Sequence, residues 1–358
     1  MTVATLLARA TRRTVLAHVR HVRPVAPHRA DGLVARVYGQ VERDFGMLAP
    51  PMALHSPAPD VLAASWTMLR ETLVATGPAG RAAKEAVAAA VSAANRCPYC
   101  VDVHGATLVG LFPGGDGAGP AVDRLDDGPW SPLARWAGRP SPHGPAGPPP
   151  APAAQVPELV GVAVVFHYLN RMVNVFLRDS PLPDTPSLAR GVVQRTAARV
   201  MGALARRPCP PGAALELLAA APPPADLAWA GATVLADGLA RGYAAIEDGG
   251  RQVVPAGVRE LVAARCADPQ DGPAGISARP WVEDAVAGLS PVERPAGRLA
   301  LLTAFASYQV TDAVVADFRA HHPGDDALVT LTAWAALTAA RRYGPALAGG
   351  PDVTEPTG

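Results

Sequence analysis

Glu85, Cys97, Cys100 and His104 fall within twenty positions of one another, and all four side chains handle protons or electrons. The segment around the cysteines reads Asn95-Arg96-Cys97-Pro98-Tyr99-Cys100-Val101-Asp102-Val103-His104. Two cysteines three apart can form a redox dithiol or half of a zinc site. Zinc needs four ligands, and Cys97, Cys100 and His104 have no second Cys-x-x-Cys or His pair to complete a set, so no metal is expected. A dithiol fits the geometry: at the start of a helix, residues i and i+3 lie about 5 Å apart between Cα atoms, inside the window a disulfide tolerates. The helix N-terminus favours the thiolate, which is the reactive form. His104, one turn beyond Cys100 on the same face, can act as its base or relay its proton. The helix dipole favours Cys97 as the more acidic thiol, whereas adjacency to His104 favours Cys100.

These residues need elements to position them. A glutaredoxin-type Cys-Pro-Tyr-Cys site requires a preceding β-strand and a cis-proline loop soon after it. Here the preceding run Lys84-Glu85-Ala86-Val87-Ala88-Ala89-Ala90-Val91 is a helix former, and the next candidate, Val254-Pro255, is too distant. A helix from Ala79 to about Ala94, ended by Asn95, and a second from Pro98 to about Gly110 are expected. If the chain reverses between them, Glu85 and His104 stand at heights differing by only ~5 Å, at ~1.5 Å per residue; one straight helix would separate them by ~28 Å. The hairpin therefore makes a Glu85–His104 contact feasible.

Upstream, a helix with Asp60 near its N-cap carries Leu62, Trp66, Leu69 and Leu73 on one face, and Gly77-Pro78 stops it. Residues 2–22 read as a solvated basic helix. Residues 113–157 are dense in proline and glycine and read as a long surface loop. Beyond it, Pro157-Glu158-Leu159 opens an apolar helix on which His167, Asn170, Arg171 and Asn174 share one face. Such groups on an apolar helix must find partners or water, so this face, with Tyr99, is a candidate substrate pocket beside the dithiol. Further helices are expected at about 187–206, 212–220, 225–245, 256–265, 281–288, 295–319 and 325–342. Pro78-Ala79-Gly80-Arg81 recurs as Pro295-Ala296-Gly297-Arg298, and the same offset brings His104 onto His321, which suggests a degenerate duplicated helical unit. The organisation expected is an N-terminal helical extension (1–44), a core bearing the cysteines (45–112), the loop (113–157), a helical continuation (158–345) and a flexible tail (346–358).

With 358 residues, 49% hydrophobic and only 5% aromatic, the chain is rich in alanine, which favours closely packed helices over sheets. The fold class expected is all-α. A net charge of +1 gives no extended footprint for nucleic acid or a membrane surface. Lys84 is the only lysine, and its place beside Glu85 marks that spot. Four scattered cysteines make no disulfide framework, with Cys209 and Cys266 read as inert, and a reducing compartment fits. Arg9, Arg12, Arg13, Arg20 and Arg23 occur without an apolar signal region, and the longest apolar run, near Leu159–Phe166, falls short of a membrane span. A cytoplasmic protein is expected.

Glu85, eleven residues, then Cys97-x-x-Cys100-x-x-x-His104, with Asn95 two before the first cysteine and Tyr99 inside the pair, resembles the alkyl hydroperoxidase D (AhpD) and carboxymuconolactone decarboxylase superfamily. The resemblance covers about residues 45–112. It implies an AhpD-like helical fold, often a homo-oligomer, and an oxidoreductase of peroxidase type that reduces hydroperoxides. It implies Cys100 as the attacking thiol, Cys97 as the resolving thiol, Glu85 and His104 as the proton relay, an external dithiol as reductant and no cofactor. Tyr99 stands where some members have a second histidine, and the proline-rich insertion and long C-terminal region exceed a minimal family domain. Two other readings stay open: a redox sensor or binding module of the same fold, and decarboxylase-like acid–base chemistry through His104 and Glu85.

Overall fold

Proline decides where many of the helices begin. In the computed structural model of the chain, residues 16–112, 125, 128–139, 141–143, 147–177, 187–268, 272–273 and 275–349 are described. Among them every regular element is helical, and the one β-type pairing is an isolated bridge between Val19 and Leu177. The protein is all-α, as its composition indicates. Besides a single turn at Pro50–Ala53 and a π-helical turn at Arg70–Val74, the longer helices are α1 (Gly32–Asp44), α2 (Pro59–Leu69), α3 (Arg81–Ala94), α4 (Pro98–Gly110), α5 (Ser131–Ala137), α6 (Val156–Phe176), α7 (Ser187–Ala205), α8 (Val234–Val253), α9 (Ala256–Ala267), α10 (Arg279–Val286), α11 (Arg294–Ala306), α12 (Asp312–Arg319), α13 (Asp325–Arg341) and α14 (Tyr343–Ala348). Helices α2, α4, α5, α6, α10 and α11 each carry proline in their first two positions, where its missing N–H costs nothing.

Helix α6 is the axis of the molecule. Every residue from Leu159 to Val173 is buried, because the helix is apolar nearly all round and α3, α13 and α14 pack against it. By length and composition the stretch Ala153–Phe176 could cross a membrane, which corrects the expectation that no run is long enough. Of its most apolar window, 94% is buried inside the molecule, where it serves as the core helix. Helix α3 pairs with α4, and α7 lies across α4. At that crossing Gly110 meets Gly202 so closely that a Cβ on Gly110 would overlap the Ala198 carbonyl oxygen.

The cap residue of α2 is Ala58, and Asp60 stands two positions after it in the first turn, near the N-cap as expected. Several other elements differ from the sequence reading for identifiable reasons. Within 113–157 a helix forms, α5, because Leu133 and Trp136 are buried and α5 packs on α3. The segment 212–220 makes only a 3-10 turn, Leu215–Leu217. Its backbone groups are taken by side chains instead: Glu71 accepts from the N–H groups of Gly212 and Ala214, Gln40 donates to Ala213 O, and Arg241 donates to the carbonyls of Leu215 and Leu218. Gly231, at φ 61°, breaks 225–245, and Thr233 starts α8 by accepting from the Ala236 N–H at 3.1 Å. The segment 295–319 is likewise broken into α11, a 3-10 turn at Ser307–Gln309, and α12. Of the basic helix expected over 2–22, residues 1–15 lie outside the described residues, as do residues 350–358 of the tail.

Candidate active site

The α3–α4 hairpin is built by a short reversal. Asn95 caps α3, Arg96 takes a left-handed φ of 52°, and the Cys97 N–H returns to Ser92 O at 2.9 Å. Arg96 is steadied by its guanidinium, which lies 4.7 Å from the centre of the Tyr308 ring. Cys97 is then the N-cap of α4 and Pro98 its first residue, so α4 runs back along α3. The register brings His104 opposite Glu85: His104 Nδ1 and Glu85 Oε2 are 2.7 Å apart, with the ring N–H donating. Arg81, one turn before Glu85, donates from Nε to Oε1 at 2.7 Å. Glu85 has no exposed surface. Burial alone would raise its carboxyl pKa, but Arg81 and His104 together outweigh that and hold it below its ordinary value. With Nδ1 engaged, the second ring nitrogen of His104 is the one free to exchange a proton. The edge of Phe166, with ring centres 4.5 Å apart, fixes the imidazole plane.

Cys97 and Cys100 are free thiols, 0% and 4% exposed, and Cys97 stands near enough to disfavour the Cys100 thiolate. Helix position alone predicts an acidified thiol, but for Cys100 burial wins. Desolvation, reinforced by Cys97, pushes it well above its ordinary value, and only Asn170 works the other way. Tyr99, also buried, has its phenol raised by burial and by the two neighbouring sulfurs.

The polar face of α6 converges on the same turn. Asn170 bonds Asn95 and Ser92; His167 and Arg171 bond Asn95; and Asn174 donates to Asn95 O at 3.0 Å and to Ser307 Oγ. His167 also stacks on Tyr343, with ring centres 3.4 Å apart. Lys84 turns away from the thiols and ties the start of α3 to α6, its Nζ 2.9 Å from both Ala75 O and Glu158 Oε2.

The sequence marks Asn95 as a helix terminator and a position of the cysteine motif but not as a hydrogen-bonding hub, and it does not single out Arg81 or Ser92 for the site. Arg81 stands four residues before Glu85 and could have been found by that spacing. Cys209 and Cys266 are buried, the latter's thiol pushed up to about 11 by burial, and His321 is exposed. Among the described residues, no cluster of three or more His, Cys, Asp or Glu side chains is placed to hold a metal ion.

Residues 59–110, which span α2 to α4, match the family model described as carboxymuconolactone decarboxylase family. Over 340 residues, 91% of this chain and 94% of the relative, the sequence is 38% identical to a Mycobacterium tuberculosis protein named alkyl hydroperoxide reductase Rv2159c.

Proposed function

The chain belongs to the AhpD-like carboxymuconolactone decarboxylase family, and from that premise we propose that it is a thiol-dependent peroxidase that reduces hydroperoxides through the Cys97/Cys100 pair. The observation that carries this reading is the 2.7 Å Glu85–His104 bond one helical turn from Cys100, with Cys97 near that thiol. A relative named for alkyl hydroperoxide reduction, similar over nearly its whole length, supports a peroxide as substrate.

In this reading His104, held by Glu85, takes the proton of Cys100. The thiolate attacks the terminal peroxide oxygen, so that an S–O bond forms and the O–O bond breaks. The alkoxide leaves with a proton returned through His104, giving an alcohol and a Cys100 sulfenic acid. Cys97 attacks that sulfur; the S–S bond forms, and hydroxide leaves with a proton as water. An external dithiol then reduces the disulfide and is itself oxidised. Residues 45–112 form the catalytic core, and the remaining helices close over it. Burial of Cys100 favours one competing reading, a redox sensor or binding module that keeps the dithiol without peroxide turnover.

A hydroperoxide-consumption assay with a dithiol donor separates the two. The peroxidase reading expects turnover in the native chain and none in Cys100→Ser. Turnover that survives Cys100→Ser removes the assignment of the attacking thiol. Absence of turnover with every dithiol tried returns the site to sensing or binding.

A further inference from the structure

A nearly inaccessible thiol whose surroundings disfavour its anion is a poor nucleophile unless something meets the charge when it forms. Glu85 and His104 can carry a proton, but neither is a source of positive charge once His104 has given that proton back. The polar face of α6 supplies what is missing through a chain of hydrogen bonds whose direction can be worked out from its ends.

Arg171 can only donate. Its Nε donates to Ala304 O at 2.9 Å and its terminal nitrogen to His167 O at 2.6 Å and to Asn95 Oδ1 at 3.3 Å. The Asn95 amide is thereby turned so that its Nδ2 faces Asn170 Oδ1, 3.1 Å away. At the far end, the Ser92 hydroxyl gives its proton to Ala88 O at 2.6 Å and so must accept from Asn170 Nδ2, at 3.0 Å. Both neighbours of Asn170 therefore impose the same orientation, with oxygen toward Asn95 and nitrogen toward Ser92. The amide's nitrogen carries two protons, of which Ser92 takes one, and the side chain lies near enough to Cys100 to favour its thiolate. Among the described residues no carboxylate pairs with Arg171, which is only 8% exposed, so its charge is available to polarise the chain.

We infer that Asn170 is a further catalytic residue, which donates from Nδ2 to Cys100 Sγ and stabilises the thiolate, and that Asn95 and Arg171 are positioning residues that hold its amide with the donor toward sulfur. The inference deepens the peroxidase reading and rests on Cys100 as the attacking thiol. No separate cation touches the sulfur: Arg171 acts through two amides. The titratable and charged groups around Cys100 are Cys97, Tyr99 and His104 on α4, Glu85 and Arg81 on α3, and His167 and Arg171 on α6.

The test reads the thiol directly and uses no peroxide, so it stands or falls apart from turnover. In the fully reduced chain, the alkylation rate of Cys100 by iodoacetamide is followed against pH by mass spectrometry of the peptide that carries it. Asn170→Ala is expected to displace the profile upward by about one pH unit, or tenfold in rate at neutral pH. Asn170→Asp, which keeps the oxygen toward Asn95 and replaces the donor with an acceptor, is expected to displace it further. Asn95→Ser, one side chain removed from the sulfur, should give a smaller displacement in the same direction, because it frees the Asn170 amide to turn over. Profiles that superpose on the native one in folded Asn170→Ala and Asn170→Asp overturn the inference. If both fail to fold, a superposing profile in Asn95→Ser does so.

Discussion

Glu85 is a carboxylate without solvent, stabilised by Arg81 on its own helix and by His104 across the hairpin, and its two oxygens are used on different partners. Replacing it with glutamine keeps the shape and removes the charge. Because positioned acid–base groups contribute roughly 100-fold or more, Glu85→Gln is expected to lower peroxide turnover by about that factor at neutral pH. Turnover within twofold of the native rate would show that the pair is only structural. At this scale the spacing of Glu85, Cys97, Cys100 and His104 was readable because each contact lies within a helix or across a single hairpin. Asn95 was not read as a hub because its partners His167, Asn170 and Arg171 are 72 to 76 positions away, a separation over which one sequence carries no pairing signal.

Helix boundaries set by proline or by an evident reversal were legible, and Pro98–Gly110 was found at both ends. Those settled by distant side chains were not, as the capture of 212–220 by Glu71, Gln40 and Arg241 shows. The contact between α4 and α7 belongs to the same class, since nothing near Gly110 announces Gly202 as its partner. That crossing has no room for a methyl group, and the helix it supports carries Cys100 and His104. Gly202→Ala is therefore expected to cost about 1–3 kcal/mol by forcing the backbones apart, read as a lower urea midpoint. An unchanged midpoint would mean that α7 docks by other contacts.

Across the whole molecule, two histidines are buried in a form that acid must disrupt. His55 Nε2 lies 3.1 Å from the Tyr168 hydroxyl, which in turn is 2.7 Å from Ser65 Oγ, and burial lowers the His55 pKa to about 3. His167 is held well below its ordinary value by burial and then by Arg171. An unfolded chain protonates both near pH 6.5, so it binds more protons than the native state below that pH. The stability these groups contribute is present above about pH 6.5 and is lost as the pH falls toward 3, at up to about 1.4 kcal/mol per unit for each histidine. Glu85, with its pKa depressed, adds a further loss below 4.5. Urea unfolding at pH 5.0 is expected to report a native state weaker by as much as about 4 kcal/mol than at pH 7.5. Equal stability at the two values would contradict the neutral burial of these rings.

The sequence by itself determined the all-α class, the hairpin and the four residues that line up across it, because helix periodicity and proline placement act over a few residues and leave a local trace. Only the tertiary structure decided how exposed the thiols are and which way the Asn170 amide is turned. Those properties arise where α6 is laid against the α3–α4 turn, and desolvation and hydrogen-bond direction depend on every atom packed there.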